Sequence, residues 1–258
     1  MRILFVGDVV GRPGRSAVAA LLPVLKGELR VDMTVVNGEN AAGGAGLTAE
    51  IAREIHEAGA DVITNGNHVW DQRSFLKDID SLDYCIRPAN LLPGNPGRGW
   101  AIVKGVLVIN ALGRVFMAPN VDDPFRAVNS VLLDLGDRAP KVIVVDWHAE
   151  ATSEKIAIAW YLDGRVSAVV GSHTHVPTAD ARVFPKGTAH VTDTGMVGPR
   201  DSVLGVDPAI IVGRFLDGIP RRFEVASGPV QFNSVLIDVD ESTGRARSIT
   251  RVDREWSE

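Results

Sequence analysis

Five short apolar runs in this chain each end in residues that can bind a metal ion: Phe5-Val-Gly-Asp8, Val35-Val-Asn-Gly-Glu39-Asn40, Ile63-Thr-Asn-Gly-Asn67-His68, Val144-Val-Asp-Trp-His148 and Val169-Val-Gly-Ser-His173-Thr-His175. Carboxylates, imidazoles and amide oxygens together form a mixed nitrogen and oxygen donor set that suits iron, manganese or zinc. Asp8, Glu39, Asn40, Asn67, His148, His173 and His175 are too many donors for one ion and would serve a pair, with Glu39 between the two.

Each segment taken alone has a plainer reading. Gly7-Asp8 is what a turn or helix cap looks like, Asn37-Gly-Glu-Asn40 has loop composition, Gly66-Asn67-His68 fits a surface turn, and His148 could be a hydrogen-bonded core ring. His173 and His175 are more specific, because they stand two apart just after a strand, where alternating side chains let both imidazoles point the same way. What favours metal binding is joint occurrence, since unrelated surface turns have no reason to supply complementary ligands at every strand end. The remaining histidines read otherwise: His56 shares a helix with Arg53, Glu54 and Glu57 and is expected on a solvated face, and His190 is expected to be packed in a strand.

The elements that must bring these segments together follow from hydrophobic periodicity. Apolar runs at 3–6, 33–36 and 61–64 alternate with helical patterns at 16–29 and 49–58, giving a βαβαβ opening. Thr48 is placed to cap the second helix and Gly59 to end it. Leu82–Pro96 reads as loop, 101–112 as an extended pair, and helix-then-strand returns at 124–135 with 142–145 and at 153–162 with 166–170. After Gly195 the pattern shifts toward strands and ends in a hairpin, 230–239 and 246–252, around the turn Glu241-Ser-Thr-Gly244. The chain therefore reads as one α/β domain over 1–258, largely parallel, with late antiparallel strands. In such sheets ligands sit outside the carboxyl ends of the strands, where all five segments fall.

Composition narrows the function. The lone Cys85 rules out an internal disulfide or a thiolate metal cluster and reads as a small core filler in a reducing compartment, and no apolar run is long enough for a signal peptide or membrane span. A cytoplasmic location is expected. The formal net charge of -5 argues against a broad nucleic-acid-binding face, while a small phosphorylated nucleotide remains a suitable partner because bound cations reverse the local field. A homo-oligomer is compatible with these features and not specified by them.

In order and strand context, the five segments resemble the motifs of calcineurin-like metallophosphoesterases, which read Asp-x-His, Gly-Asp, Gly-Asn-His, a lone His and Gly-His-x-His. Two positions depart from that pattern: Val10 stands where the first motif has histidine, and Glu39, followed by Asn40, stands where a bridging aspartate is usual. This combination, with Gly7-Asp-Val-Val-Gly-Arg-Pro-Gly14 and Asn37-Gly-Glu-Asn-Ala-Ala-Gly-Gly44, is similar to a YmdB-like bacterial branch over nearly the whole chain.

The resemblance implies a two-sheet sandwich flanked by helices, in four α/β/β/α layers. It also implies a phosphodiesterase acting on 2′,3′-cyclic nucleotides with two divalent metal ions, iron first, with manganese or zinc as alternatives. Asp8, Glu39, Asn40 and His175 would hold one ion and Glu39, Asn67, His148 and His173 the other, with Asn40 replacing the missing histidine. His68 would protonate the departing oxygen. Asp71 would orient His68 or else serve as a structural cap. Glycines 43, 44 and 46 could offer amides to phosphate, and Thr192–Pro199 could line the pocket. Two other functions fit the same residues: a phosphomonoesterase or 5′-nucleotidase, and a regulatory RNA- or protein-binding module with structural metals. A structural site needs no general acid, so His68 beside a complete ligand set speaks against the module.

Overall fold

The computed structural model describes residues 1–257. Its first half contains β1 (Arg2–Val6), β2 (Asp8–Val9), α1 (Gly11–Glu28), β3 (Met33–Asn37), α2 (Ala49–Glu57), β4 (Val62–Thr64), a single turn α3 (Phe75–Asp78), β5 (Trp100–Val103), β6 (Val106–Leu112) and α4 (Pro124–Leu135). The second half contains β7 (Val142–His148), α5 (Thr152–Leu162), β8 (Ala168–Ser172), β9 (Arg182–Val183), β10 (Ala189–Val191), β11 (Met196–Pro199), α6 (Pro208–Asp217), β12 (Val230–Phe232), β13 (Ser234–Val239), β14 (Ala246–Arg251) and β15 (Arg254–Trp256).

These strands form a five-stranded sheet, β14-β13-β1-β3-β4, a six-stranded sheet, β5-β6-β7-β8-β10-β9, and a small four-stranded sheet, β15-β12-β11-β2. The central strands β1, β3 and β4 run parallel, as do β6, β7, β8 and β10, while β13 and β14, and β5 and β9, add antiparallel edges. Strands from the two ends of the chain lie side by side, Ile3 opposite Ile237 and Phe5 opposite Val235.

Strand alternation explains the layering. Odd residues Ile3, Phe5, Met33 and Val35 of the first large sheet pack in one apolar cluster with Val106, Val108, Val142, Val144, Ala168 and Val170 of the second. The intervening residues face outward: Leu4, Val6 and Val36 pack under α1 and α2, and Ile143, Val145, Trp147 and Val169 under α4 and α5. Both faces of each large sheet are therefore buried, which is why its strands read as unbroken apolar runs. The four-layer arrangement expected from the sequence is the one found. Phe125 of α4 meets Trp147 edge-on with ring centroids 5.4 Å apart, and Trp147 is wholly buried.

The helix caps act as expected: the Thr48 hydroxyl accepts from Ile51 N at 3.3 Å, and Gly59 has φ +118°. Three elements differ from the sequence reading. Helix α1 starts at Gly11 rather than near Ser16, because Pro13 falls in the first turn, where its missing N–H costs nothing. The run 230–239 is not one strand: it breaks at Asn233, placing β12 in the small sheet and β13 in the first large one. Helix α6 occupies a stretch expected to hold strands; Asp207 caps it through Ala209 N, Pro208 opens it, and Gly218 at φ +71° ends it. Among the described residues, no helix is long and apolar enough to cross a membrane.

Candidate metal centre

The inner faces of the two large sheets turn polar at their carboxyl ends without changing alternation. After Met33 and Val35 comes Asn37; after Val142 and Val144 come Asp146 and His148; after Ala168 and Val170 comes Ser172. These side chains form a buried network. Ser172 Oγ donates to Asp146 Oδ1 at 2.6 Å, Asn37 Nδ2 donates to Asp146 Oδ2 at 3.2 Å, and His148 Nδ1 lies 2.9 Å from Ser172 Oγ. Since the Ser172 proton is committed to Asp146, its oxygen accepts from His148 Nδ1–H, so a neutral His148 presents the lone pair of Nε2 to the crevice.

Around that nitrogen the sequence-predicted donors gather. His148 Nε2 lies 3.0 Å from Asn67 Oδ1, 3.0 Å from His173 Nδ1 and 3.0 Å from Glu39 Oε1. One ring nitrogen cannot bond all three in line, and their spacing is that of a shell around a shared point. Donor atoms of Glu39, His148 and His173 lie within 4.8 Å of one another. On the adjoining side, Asn40 Oδ1 is 3.3 Å from His175 Nε2, and Asp8 Oδ2 accepts from His173 N at 3.2 Å. The structure brings all of the predicted donor residues to one crevice.

Two unanswered oxygens make this donor set fit cations. Asp8 and Glu39 are wholly buried, yet Asp8 Oδ1 and Glu39 Oε1 have no hydrogen-bond partner of good geometry. Buried carboxylate oxygens left this way are costly unless a charge meets them. Burial, joined by the charges of Asp193, Glu39 and Asp146, holds the Asp8 carboxyl well above the usual range. Burial also opposes ionisation of Glu39, but the adjacent His148 overrides it and brings Glu39 down to about 2. In return, Glu39 outweighs the burial of His148 and raises that imidazole to about 9. Burial and then the charge on His148 depress His173 to about 3, and burial lowers His175. The pocket thus draws positive charge to its centre, and a proton on His148 takes the part a cation would play.

The local backbone is shaped for this crowding. A Cβ on Gly66 would collide with Glu39 Oε2 and the His148 ring, so only glycine lets the 65–68 segment pass beneath the cluster. His173 and His175 follow directly on β8, which ends at Ser172, but not in the extended backbone that the alternation argument assumes: the two histidines have φ +105° and +63°. Non-glycine residues in that region carry strain that surrounding contacts must hold. They reach the crevice through different atoms, His173 through Nδ1 and His175 through Nε2, while His175 Nδ1 bonds Leu204 O at 3.0 Å.

His68 sits at the rim. Its amide donates to Glu39 Oε2 at 3.3 Å, and its Nδ1 lies 2.8 Å from Asp71 Oδ2, so Asp71 orients the ring despite the two intervening residues. Of the three glycines that could offer amides to phosphate, Gly43 and Gly44 spend theirs on Ala41 O and Asn40 O within their own loop. Residues 192–199 are buried. His56 is exposed and stacks on Tyr84, His190 is buried with Nδ1 on Val169 O, and Cys85 is buried, as expected. Sequence reasoning missed Asn37, Asp146, Ser172 and Glu150, whose Oε2 lies 3.3 Å from His173 Nε2. The first three were findable from strand parity; Glu150 carries no such signal.

The family model described as YmdB-like protein matches residues 4–252. A Bacillus subtilis protein named 2′,3′-cyclic-nucleotide 2′-phosphodiesterase is 49% identical over 98% of this chain and 96% of its own. The crystal structure of a hypothetical protein from Thermus thermophilus superposes with a TM-score of 0.91 at 43% identity, covering 99% of both chains. That of a novel phosphatase from Mycoplasma pneumoniae superposes with a TM-score of 0.93 at 34% identity, covering 99% of this chain and 93% of the other.

Proposed function

The chain belongs to the YmdB-like family, and on that footing we propose that it is a metal-dependent phosphodiesterase that opens small 2′,3′-cyclic nucleotides at a dinuclear centre. The observation that carries the reading is the pair of buried oxygens without a well-aligned hydrogen bond, Asp8 Oδ1 and Glu39 Oε1, facing imidazole and amide donors in one crevice. Asp8, Glu39, Asn40 and His175 would hold one ion and Glu39, Asn67, His148 and His173 the other, with iron or manganese suited to so mixed a set. Two such cations lower the pKa of a bound water and neutralise phosphate charge.

The chain's own groups supply the rest. The Asp71 carboxylate holds His68 through Nδ1, which leaves Nε2 to give a proton to the ribose oxygen leaving phosphorus. His68 is tied through its amide to Glu39, so the proton donor and the proposed bridging carboxylate keep a fixed separation. The Asp146–Ser172 pair fixes the His148 tautomer, and Glu150 takes the outward nitrogen of His173.

A phosphomonoesterase is the second reading, favoured by the superposition on the Mycoplasma pneumoniae phosphatase. The deciding assay offers purified protein 2′,3′-cyclic AMP and AMP side by side, before and after chelation and with Mn²⁺ restored. Ring opening that vanishes with chelator and returns with Mn²⁺ is expected; turnover of AMP alone would transfer the assignment to the monoesterase.

A further inference from the structure

Behind the crevice lies a buried ion pair that the chemistry above does not use. Lys155 of α5 and Asp193 are both wholly buried, with Lys155 Nζ 2.6 Å from Asp193 Oδ2. Each partner also grips backbone next to the strained histidines. Lys155 Nζ donates to Ser172 O at 2.8 Å, and Thr174 N donates to the same Asp193 oxygen at 3.0 Å. With His173 N on Asp8 Oδ2, three polar groups in succession are pinned: the carbonyl before His173, its own amide, and the amide after it. The other Asp193 oxygen accepts from Gly195 N at 2.8 Å, and Gly195 O accepts from Asp8 N at 3.1 Å. Asp193 therefore touches the His-x-His turn directly and reaches the segment that carries Asp8 through Gly195. The threonine hydroxyl of Thr178 accepts from Asp193 N at 2.9 Å and fixes Asp193 from behind.

We infer that Lys155 and Asp193 are positioning residues of the metal centre: the pair holds His173 and His175 in their positive-φ conformations and sets their distance from Asp8. A hydrogen bond from Lys155 alone would restrain the Ser172 carbonyl but would leave an unpaired charge beside a cation site. Asp193 alone would add a further buried carboxylate to Asp8, Glu39 and Asp146. Together they make a neutral clamp that restrains backbone on both sides of His173 and adds no net charge to the pocket. Any ordinary loop residue would relax toward negative φ once the clamp is gone, moving the His173 and His175 rings off the shared centre.

The inference rests on the metal reading above, so its test reads metal binding rather than turnover. The double variant Lys155→Met with Asp193→Asn removes both charges together and keeps an oxygen for the Thr174 amide. Its Mn²⁺ affinity, measured by calorimetry on protein shown to be folded by circular dichroism, should fall by ~10-fold or more, the scale of lost supporting contacts around metal ligands. Wild-type affinity in the folded variant would overturn the inference, since a pair serving stability alone would lower the melting temperature and leave Mn²⁺ binding intact. Wild-type protein that binds no Mn²⁺ would instead sink the metal centre itself. Should the variant not fold, hydrogen exchange on the wild type decides: the Thr174 amide is expected to exchange as slowly as core strand amides, and exchange at open-loop rates would overturn the clamp.

Discussion

At the level of single residues, His68 and Asp71 separate chemistry from scaffolding. His68 contributes a proton donor and one amide contact to Glu39, and none of the donor atoms that surround the crevice. His68→Ala should therefore lower kcat by ~10²–10⁴-fold, the usual worth of a positioned general acid, while Mn²⁺ content by elemental analysis stays that of the wild type. Asp71→Asn should give a smaller loss of ~10–100-fold, because the ring loses its orienting carboxylate but keeps its proton. Unchanged kcat in His68→Ala would remove it from the reaction. Gly66 predicts the reverse pattern. A methyl there meets Glu39 and His148, so Gly66→Ala should lose metal first and activity with it; a variant with full Mn²⁺ content would show that the crowding is tolerated.

At the level of elements, much of the site was legible because β-strands alternate. Val142, Val144, Asp146 and His148 share one face of β7, and the change from apolar to polar along that face marks where the core ends and the crevice begins. Elements whose shape is set by distant partners were not legible. Val230–Val239 reads as one strand because apolar residues flank Asn233-Ser234 on both sides with no Gly or Pro between, yet Asn233 O accepts from Gly7 N and the chain changes sheet there. Helix α6 hides behind the β-branched run Ile210-Ile211-Val212, although its Asp207-Pro208 start and Gly218 end are ordinary helix signals. The turn holding His173 and His175 is the sharpest case, since positive φ is uncommon outside glycine and the contacts that hold it come from distant residues, Asp8, Lys155, Asp193 and, at His175, Leu204 O. Strand β10 also carries a titration consequence. Burial holds His190 below the usual histidine range. Below about pH 6.5 the unfolded chain then binds a proton that the folded chain refuses, so stability falls as pH falls. His190→Leu should narrow the gap in melting temperature between pH 8 and pH 5. An identical gap in both proteins would refute the linkage.

For the molecule as a whole, the crevice exists only because the two large sheets pack face to face with their parallel strands ending at the same edge. Asn37 ends β3 and Glu39 and Asn40 follow it, Asn67 and His68 follow β4, Asp8 opens the small sheet, His148 ends β7 and His173 and His175 follow β8 of the other large sheet. No one sheet supplies all the donors, so the site requires the layers to be docked. On the proposal made above, this docking seats two cations side by side. Anomalous diffraction at the manganese edge, from crystals grown with Mn²⁺, would locate them. Two peaks roughly 3.5–4 Å apart are expected, with Glu39 between them, His175 and Asn40 beside one and His148 and His173 beside the other. A single peak, or manganese bound only outside this crevice, would contradict the dinuclear centre.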